Sequence, residues 1–170
     1  QWELALRLFR EMLCKRVPPN VVICNAAISA CEKGMQWQHA LTLFQEALQG
    51  RIAPDAITYN AAISACVTGM QWELGLRLLG EMPRTQIIQS VISYNAAITI
   101  CEKSKLWEHA LVLIDDMRRT RVPPDVISYN AANSACQRSA QWERAIWLLT
   151  ILFEQILAPD VISYNAAISA

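Results

Sequence analysis

The stretch Thr58–Cys66 reads TYNAAISAC, and Ser93–Cys101 reads SYNAAITIC. A third version, SYNAANSAC, stands at Ser128–Cys136, and a fourth, SYNAAISA, fills Ser163–Ala170. Working outward, Asn25, Asn60, Asn95, Asn130 and Asn165 recur every 35 residues. Trp2, Trp37, Trp72, Trp107 and Trp142 keep the same step, as do Cys31, Cys66, Cys101 and Cys136. Several residue types in one register, at a period between 20 and 50, are the signature of stacked repeats.

The composition agrees with a folded chain. It is 54% hydrophobic and 18% charged, outside the range of disordered sequences. Fifteen basic residues balance fifteen acidic ones, so net charge lends no support to nucleic-acid binding. The longest apolar run, Ala145–Phe153 interrupted by Thr150, is too short to span a bilayer. The chain opens in mid-period on Gln1, which reads as a piece of a longer protein with any targeting segment outside it.

Within 91–125, Ser93 is expected to cap a helix, since its hydroxyl can accept from an orphan backbone N–H. Tyr94, Ala97, Ile98 and Cys101 then fall at i, i+3, i+4 and i+7, one apolar stripe of a helix over Tyr94–Lys103 (helix A). Trp107, Ala110, Leu111, Ile114 and Met117 make a second stripe, helix B, over Leu106–Arg119. Pro123-Pro124 prevents continuation, because proline lacks the N–H and clashes in a helix interior. A single hairpin cannot bury both stripes, so neighbours must stack. Equivalent cysteines on helices packed about 8–10 Å apart are too distant for disulfides. They read as small buried hydrophobes in a reducing compartment.

Asn95, Thr99 and Glu102 lie on the other flank of helix A, with Lys103 beside them. Stacking turns the asparagines into a ladder along one groove. Two readings stay open: a row facing a ligand, as on the concave faces of other repeat proteins, or the residue of a recent duplication.

The phrases PPDVISYNAANSAC (Pro123–Cys136) and APDVISYNAAISA (Ala158–Ala170), the helix B motif WEHALVL (Trp107–Leu113) and the period of 35 together resemble the pentatricopeptide repeat family. The likeness covers essentially the whole chain. It implies an all-α, right-handed α-solenoid of stacked helical hairpins. Residues 1–20 are then helix B of a partial repeat. Whole repeats follow at 21–55, 56–90, 91–125 and 126–160, and 161–170 is helix A of a last one.

The resemblance also implies binding of single-stranded RNA, one base per repeat, a known mode of modular recognition. Base-reading pairs would be Asn25 with Asp55, Asn60 with Ser90, Asn95 with Asp125 and Asn130 with Asp160, with Asn165 opening a further pair. By the family's correspondence the target is U-C-U-U, amino end toward the 5′ end. Val22, Ile57, Ile92, Ile127 and Ile162 match the position that clamps the base plane. Lys33, Lys103 and Arg138 match the phosphate-contacting position, where Thr68 departs. The implied setting is a mitochondrion or chloroplast, in RNA processing, stability or translation. No cofactor, metal, DNA duplex or membrane partner is expected.

Other departures carry expectations of their own. Segment 56–90 ends Ile88-Gln89-Ser90 without Pro-Asp, and Pro83 falls inside its expected helix B, so Ser90 is expected to be the least secure of the reading positions. Cys24 replaces the tyrosine of the other copies. Asn133 replaces a core isoleucine. A buried amide without a partner costs about 1–3 kcal/mol, so that repeat should be locally soft.

No catalytic set emerges. His39 and His109 share one register on the expected exposed flank of helix B, with no nucleophile or carboxylate placed beside them. No phosphate-cradling G-x-x-x-x-G-K and no C-x-x-C occurs. The chain therefore reads as a binding module and not an enzyme. The rival reading is a protein–protein scaffold in a larger assembly. Outward helix B positions are mostly polar, but the last hold Trp147 and Ile151, an expected protein interface.

Overall fold

The computed structural model describes residues 2–15, 17, 19–50, 52–154 and 161–169. Among these the chain is all-α. The helices are α1 (Trp2–Cys14), α2 (Val21–Lys33), α3 (Trp37–Gln49), α4 (Ala56–Thr68), α5 (Trp72–Glu81), α6 (Val91–Lys103), α7 (Trp107–Arg119), α8 (Val126–Arg138), α9 (Trp142–Glu154) and α10 (Val161–Ile168). They divide into two compact units, Gln1–Ile88 and Gln89–Ala170. In the first, α1 and α3 pack on α2, and α4 packs on α2, α3 and α5. In the second, α6 packs on α7 and α8, and α8 also packs on α7, α9 and α10. Each unit is thus a run of stacked hairpins, the architecture of an α-solenoid.

The apolar stripes account for this packing. Tyr94, Ala97, Ile98 and Cys101 are buried, as are Ala110, Ile114 and Met117, while Trp107 and Leu111 are half-buried. In the first unit Ile28, Cys31, Ala62, Ile63 and Cys66 are equally inaccessible. Phe44 meets the ring of Tyr59 edge-on, centroids 5.2 Å apart. Burying side chains of this size contributes roughly 1.5–3 kcal/mol each. The recurrent small residues at Ala27, Ala62, Ala97 and Ala132 let helices approach closely. All six cysteines are free thiols, and all but Cys14 are buried.

Helix A begins three residues earlier than its apolar stripe suggests. α6 starts at Val91, and its N-cap is Ser90, not Ser93. Asp55 caps α4 and Asp125 caps α8, both with extended backbone. The Asp55 carboxylate accepts from the Thr58 N–H at 2.9 Å, and the Thr58 hydroxyl accepts from the Asp55 N–H at 3.1 Å. This reciprocal capping box satisfies two otherwise orphaned donors. It repeats at Ser90/Ser93 and Asp125/Ser128. Ser90 therefore takes the same place in its helix start as the two aspartates, despite the missing Pro-Asp.

The helices also end alike. The N–H of Leu106 bonds back to the Cys101 carbonyl at 2.8 Å, and that of Val122 to the Met117 carbonyl at 2.9 Å. Lys105 and Arg121, just before, are left-handed at φ 58° and 60°. This is the Schellman closure, made here by non-glycine residues. Glycine appears one residue earlier, for a different reason. A Cβ added at Gly34 or Gly69 would come within 2.5 Å of the ring of Trp2 or Trp37. Trp2 and Trp37 thus pack against the end of the next helix A, and glycine makes room.

Pro83 does interrupt helix B. α5 stops at Glu81, and Pro83–Thr85 forms a 3-10 turn. Gln86 then takes φ 62°, and the Ile87 N–H bonds to the Met82 carbonyl at 2.8 Å. The helix is shorter, but the closing bond falls in the register of Val122 and Met117.

Candidate functional site

The five asparagines lie in the second turn of successive helices A. Asn25 is on α2, Asn60 on α4, Asn95 on α6, Asn130 on α8 and Asn165 on α10. The side chains of Asn25, Asn95 and Asn130 are engaged in the protein itself. In the first unit the Asn25 amide nitrogen donates to both Asp55 carboxylate oxygens, at 3.0 and 3.2 Å. Its oxygen accepts from the Thr58 hydroxyl at 2.6 Å. The second unit repeats the pattern: Asn95 donates to Asp125 at 3.2 Å and accepts from Ser128 at 2.5 Å. Asn130 accepts from Ser163 at 2.6 Å. Asp160 lies outside the described residues. Asn60 is half-buried, and its oxygen has no hydrogen-bond partner among the described residues. Asn165 is exposed.

Two expectations change here. The cap lies at Ser90 and its equivalents, so those residues are structural as well as candidate readers. Asn25, Asn95 and Asn130 also have a structural task, linking one helix A to the start of the next within their unit. Thr58, Ser93, Ser128 and Ser163 were not expected to matter beyond capping. All four are buried, and Thr58, Ser128 and Ser163 hold an asparagine of the preceding helix A. Their signal was in the sequence, a hydroxyl two residues before Asn60, Asn95, Asn130 and Asn165, with Ile23 in that place before Asn25.

Burial pushes the Asp55 and Asp125 carboxyls up. The hydrogen bonds from the backbone and hydroxyl of Thr58 and the amide of Asn25 outweigh it at Asp55, and those from Ser128 and Asn95 do so at Asp125. Both carboxyls are held below the usual carboxylate range. Burial raises the periodic thiols, Cys66 and Cys136 to about 11 and Cys101 to about 12. Such thiols are inert, as expected of core residues.

Three residues before each asparagine, on the same helix face, stands an exposed aliphatic side chain. Val22 and Ile57 are 68% and 61% exposed in the first unit, and Ile92, Ile127 and Ile162 are 68%, 63% and 58% exposed in the second. An apolar surface beside an amide edge can cover the flat face of a base while the edge bonds to it. Lys33 and Lys103 are exposed and without an ion pair among the described residues. Arg138 instead pairs with Glu102 at 3.2 Å.

The expected outer interface is corrected in part. Trp147 is half exposed, but Ile151 is buried at 9%. Four residues advance a helix by slightly more than one turn, which carries Ile151 round to the core side. Other exposed apolar side chains of α9 are Trp142, Ile146 and Phe153. His39 is also not free on its flank: it is half-buried with its ring 5.7 Å from that of Trp2, whereas His109 is exposed. No group of three metal-ligating side chains comes together, and no helix is long and apolar enough to cross a membrane, among the described residues.

The sequence profile of the PPR repeat family matches residues 19–68 and 89–138, and that of the PPR repeat matches 57–87. No curated protein matches. Among solved structures, the chain is similar to the pentatricopeptide repeat protein PPR10 from maize, at 24% identity over 98% of this chain and 24% of that one, with a TM-score of 0.74. PPR10 in complex with an 18-nt psaJ RNA element matches at 21% identity over 99% of this chain and 25% of that one, with a TM-score of 0.83. The PPR domain of Arabidopsis thaliana protein-only RNase P 1, in complex with tRNA, matches at 15% identity over 96% of this chain and 86% of that domain, with a TM-score of 0.85. The chain spans about a quarter of the length of the PPR10 chains. Identities this low establish likeness of fold.

Proposed function

The chain belongs to the pentatricopeptide repeat family, and we propose that it is a single-stranded RNA-binding module that reads one base per repeat without catalysis of its own. The observation that carries this is the pairing of an exposed aliphatic side chain with an amide edge three residues on, at Val22/Asn25, Ile57/Asn60, Ile92/Asn95 and Ile127/Asn130. The apolar member covers a base plane and the amide meets its Watson–Crick edge. The RNA-bound relatives support the reading by their common fold.

The finer reading is a pyrimidine preference of U-C-U-U. An aspartate is acceptor-only and suits the N3–H of uracil, so Asp55, Asp125 and Asp160 accompany U. A serine hydroxyl can donate to the bare N3 of cytosine, so Ser90 accompanies C. Lys33, Lys103 and Arg138 contact phosphates, Arg138 by leaving or sharing Glu102. Three such contacts give a shallow salt dependence, a log–log slope of about −2. The setting is organellar, in mitochondrion or chloroplast, in RNA processing, stability or translation.

Fluorescence anisotropy with U-C-U-U RNA against its purine-swapped version tests this reading. A preference for the pyrimidine site that falls away in Asn95→Ala/Asn130→Ala supports it. Equal weak binding that vanishes in modest salt defeats it. A second reading, a protein scaffold, is favoured by the exposed Trp142, Ile146 and Trp147 of α9. It predicts a protein association abolished by Ile146→Glu/Trp147→Glu while RNA binding persists.

A further inference from the structure

Each asparagine amide offers two N–H groups and two oxygen lone pairs. In Asn25 and Asn95 one donor goes to an aspartate and one lone pair to a hydroxyl, which leaves one donor and one acceptor. The hydroxyl comes from the next helix A, 33 residues on, and it is fully buried. It cannot touch RNA, but it decides where the amide points. Turned over, the amide would put nitrogen at 2.5–2.6 Å from the hydroxyl oxygen, below the usual ~2.9 Å for N–H···O. The same turn would press the amide oxygen against an acceptor-only carboxylate.

We propose that Thr58, Ser128 and Ser163 are specificity-determining positioning residues, each fixing the reading amide of the preceding repeat (Asn25, Asn95 and Asn130) in one orientation. The inference rests on the RNA-reading function proposed above. A base would then be read by a unit that straddles the repeat boundary: Asn25, Asp55 and Thr58 for the first base, Asn95, Asp125 and Ser128 for the third. Side chains that act on a ligand need such supporting contacts to hold their geometry.

These hydroxyls also accept from the N–H of Asp55 and Asp125 and share their one proton between the asparagine oxygen and the aspartate carboxylate, so their loss weakens a helix start as well. The test must therefore distinguish a positional effect from a general one. In four-base RNAs with U or C at one site at a time, the wild type should favour U at the first and third bases by about tenfold, one hydrogen bond's worth. Ser128→Ala should reduce this to about twofold at the third base alone, Thr58→Val at the first base alone, and Ser128→Thr should restore it. Should Ser128→Ala not fold, Ser163→Ala carries the same test on Asn130 and the fourth base. Folded variants that keep their preference, or lose affinity equally at every base, overturn the proposal.

NMR of the RNA-free protein separates this from the function itself. The two side-chain amide protons of Asn95 should be well resolved in the wild type and should collapse toward free-amide values in Ser128→Ala, with Asn25 unchanged. Unchanged Asn95 signals overturn the positioning role. A wild type without base preference but with this collapse overturns the RNA reading and leaves the positioning of the amide standing.

Discussion

Gln1–Ile88 departs from the common pattern at Pro83, among other positions, and Gln89–Ala170 at Asn133. Pro83 shortens α5 to ten residues where α7 has thirteen. Yet the Ile87 N–H still finds the Met82 carbonyl, as Val122 finds Met117, and both methionines stay buried. Asn133 sits in α8 where α4 has Ile63, both fully buried. Its nitrogen reaches the Ser163 backbone carbonyl at 3.1 Å, but its oxygen has no partner among the described residues. A backbone defect near a helix end is absorbed within one turn, because a nearby carbonyl can take over the closing bond. A polar atom in the core has no such choice, because burial removes the water that would otherwise satisfy it.

The sharpest way to break this contrast is to write the second defect into the first unit. Ile63→Asn should destabilise Gln1–Ile88 by roughly 3–5 kcal/mol, lost burial plus an unpaired amide. Chemical denaturation would show it, and a loss under about 1 kcal/mol would mean that the core finds partners readily. The reverse change, Asn133→Ile, should raise the unfolding midpoint of Gln89–Ala170, a gain of roughly 1–2 kcal/mol. Unchanged stability there would show that the single bond to Ser163 is sufficient.

A smaller effect concerns a feature the two units share. Asp55 and Asp125 have carboxyls held below their ordinary value near ~3.9. Their contribution is complete above that value and is lost as pH falls through their lower folded-state values. Acid titration of unfolding should therefore show stability dropping below about pH 4. The slope should flatten in Asp55→Asn/Asp125→Asn, since asparagine still caps a helix but does not titrate. The least effect is expected of Pro83→Ala. It should add far-UV helicity as α5 lengthens, with stability changed by no more than about 1 kcal/mol, because the closing bond is already made.

Much of this fold was readable in advance. The buried stripe of α6 was visible as Tyr94, Ala97, Ile98 and Cys101, because helical periodicity records which face loses water. The helix start was less readable. Ser90 and Ser93, like Asp125 and Ser128, are all cap-forming residue types three apart, and the capping box uses both. Only the extended backbone at Ser90 and Asp125 identifies the cap. Ile151 was misjudged for a related reason, since a residue at the edge of a helical face can turn to either side.

The candidate site divides along the same line. Period, helix type, buried stripe and the recurrence of Asn25, Asn60, Asn95, Asn130 and Asn165 were set by local chemistry, which acts through neighbours a few residues away. The bonds of Asn25 to Thr58 and of Asn95 to Ser128 span 33 residues and exist only once helices have stacked. A hydrogen bond tolerates errors of a few tenths of an ångström. Its formation therefore depends on the rotation and spacing of whole helices, which packing decides and no repeating phrase can specify.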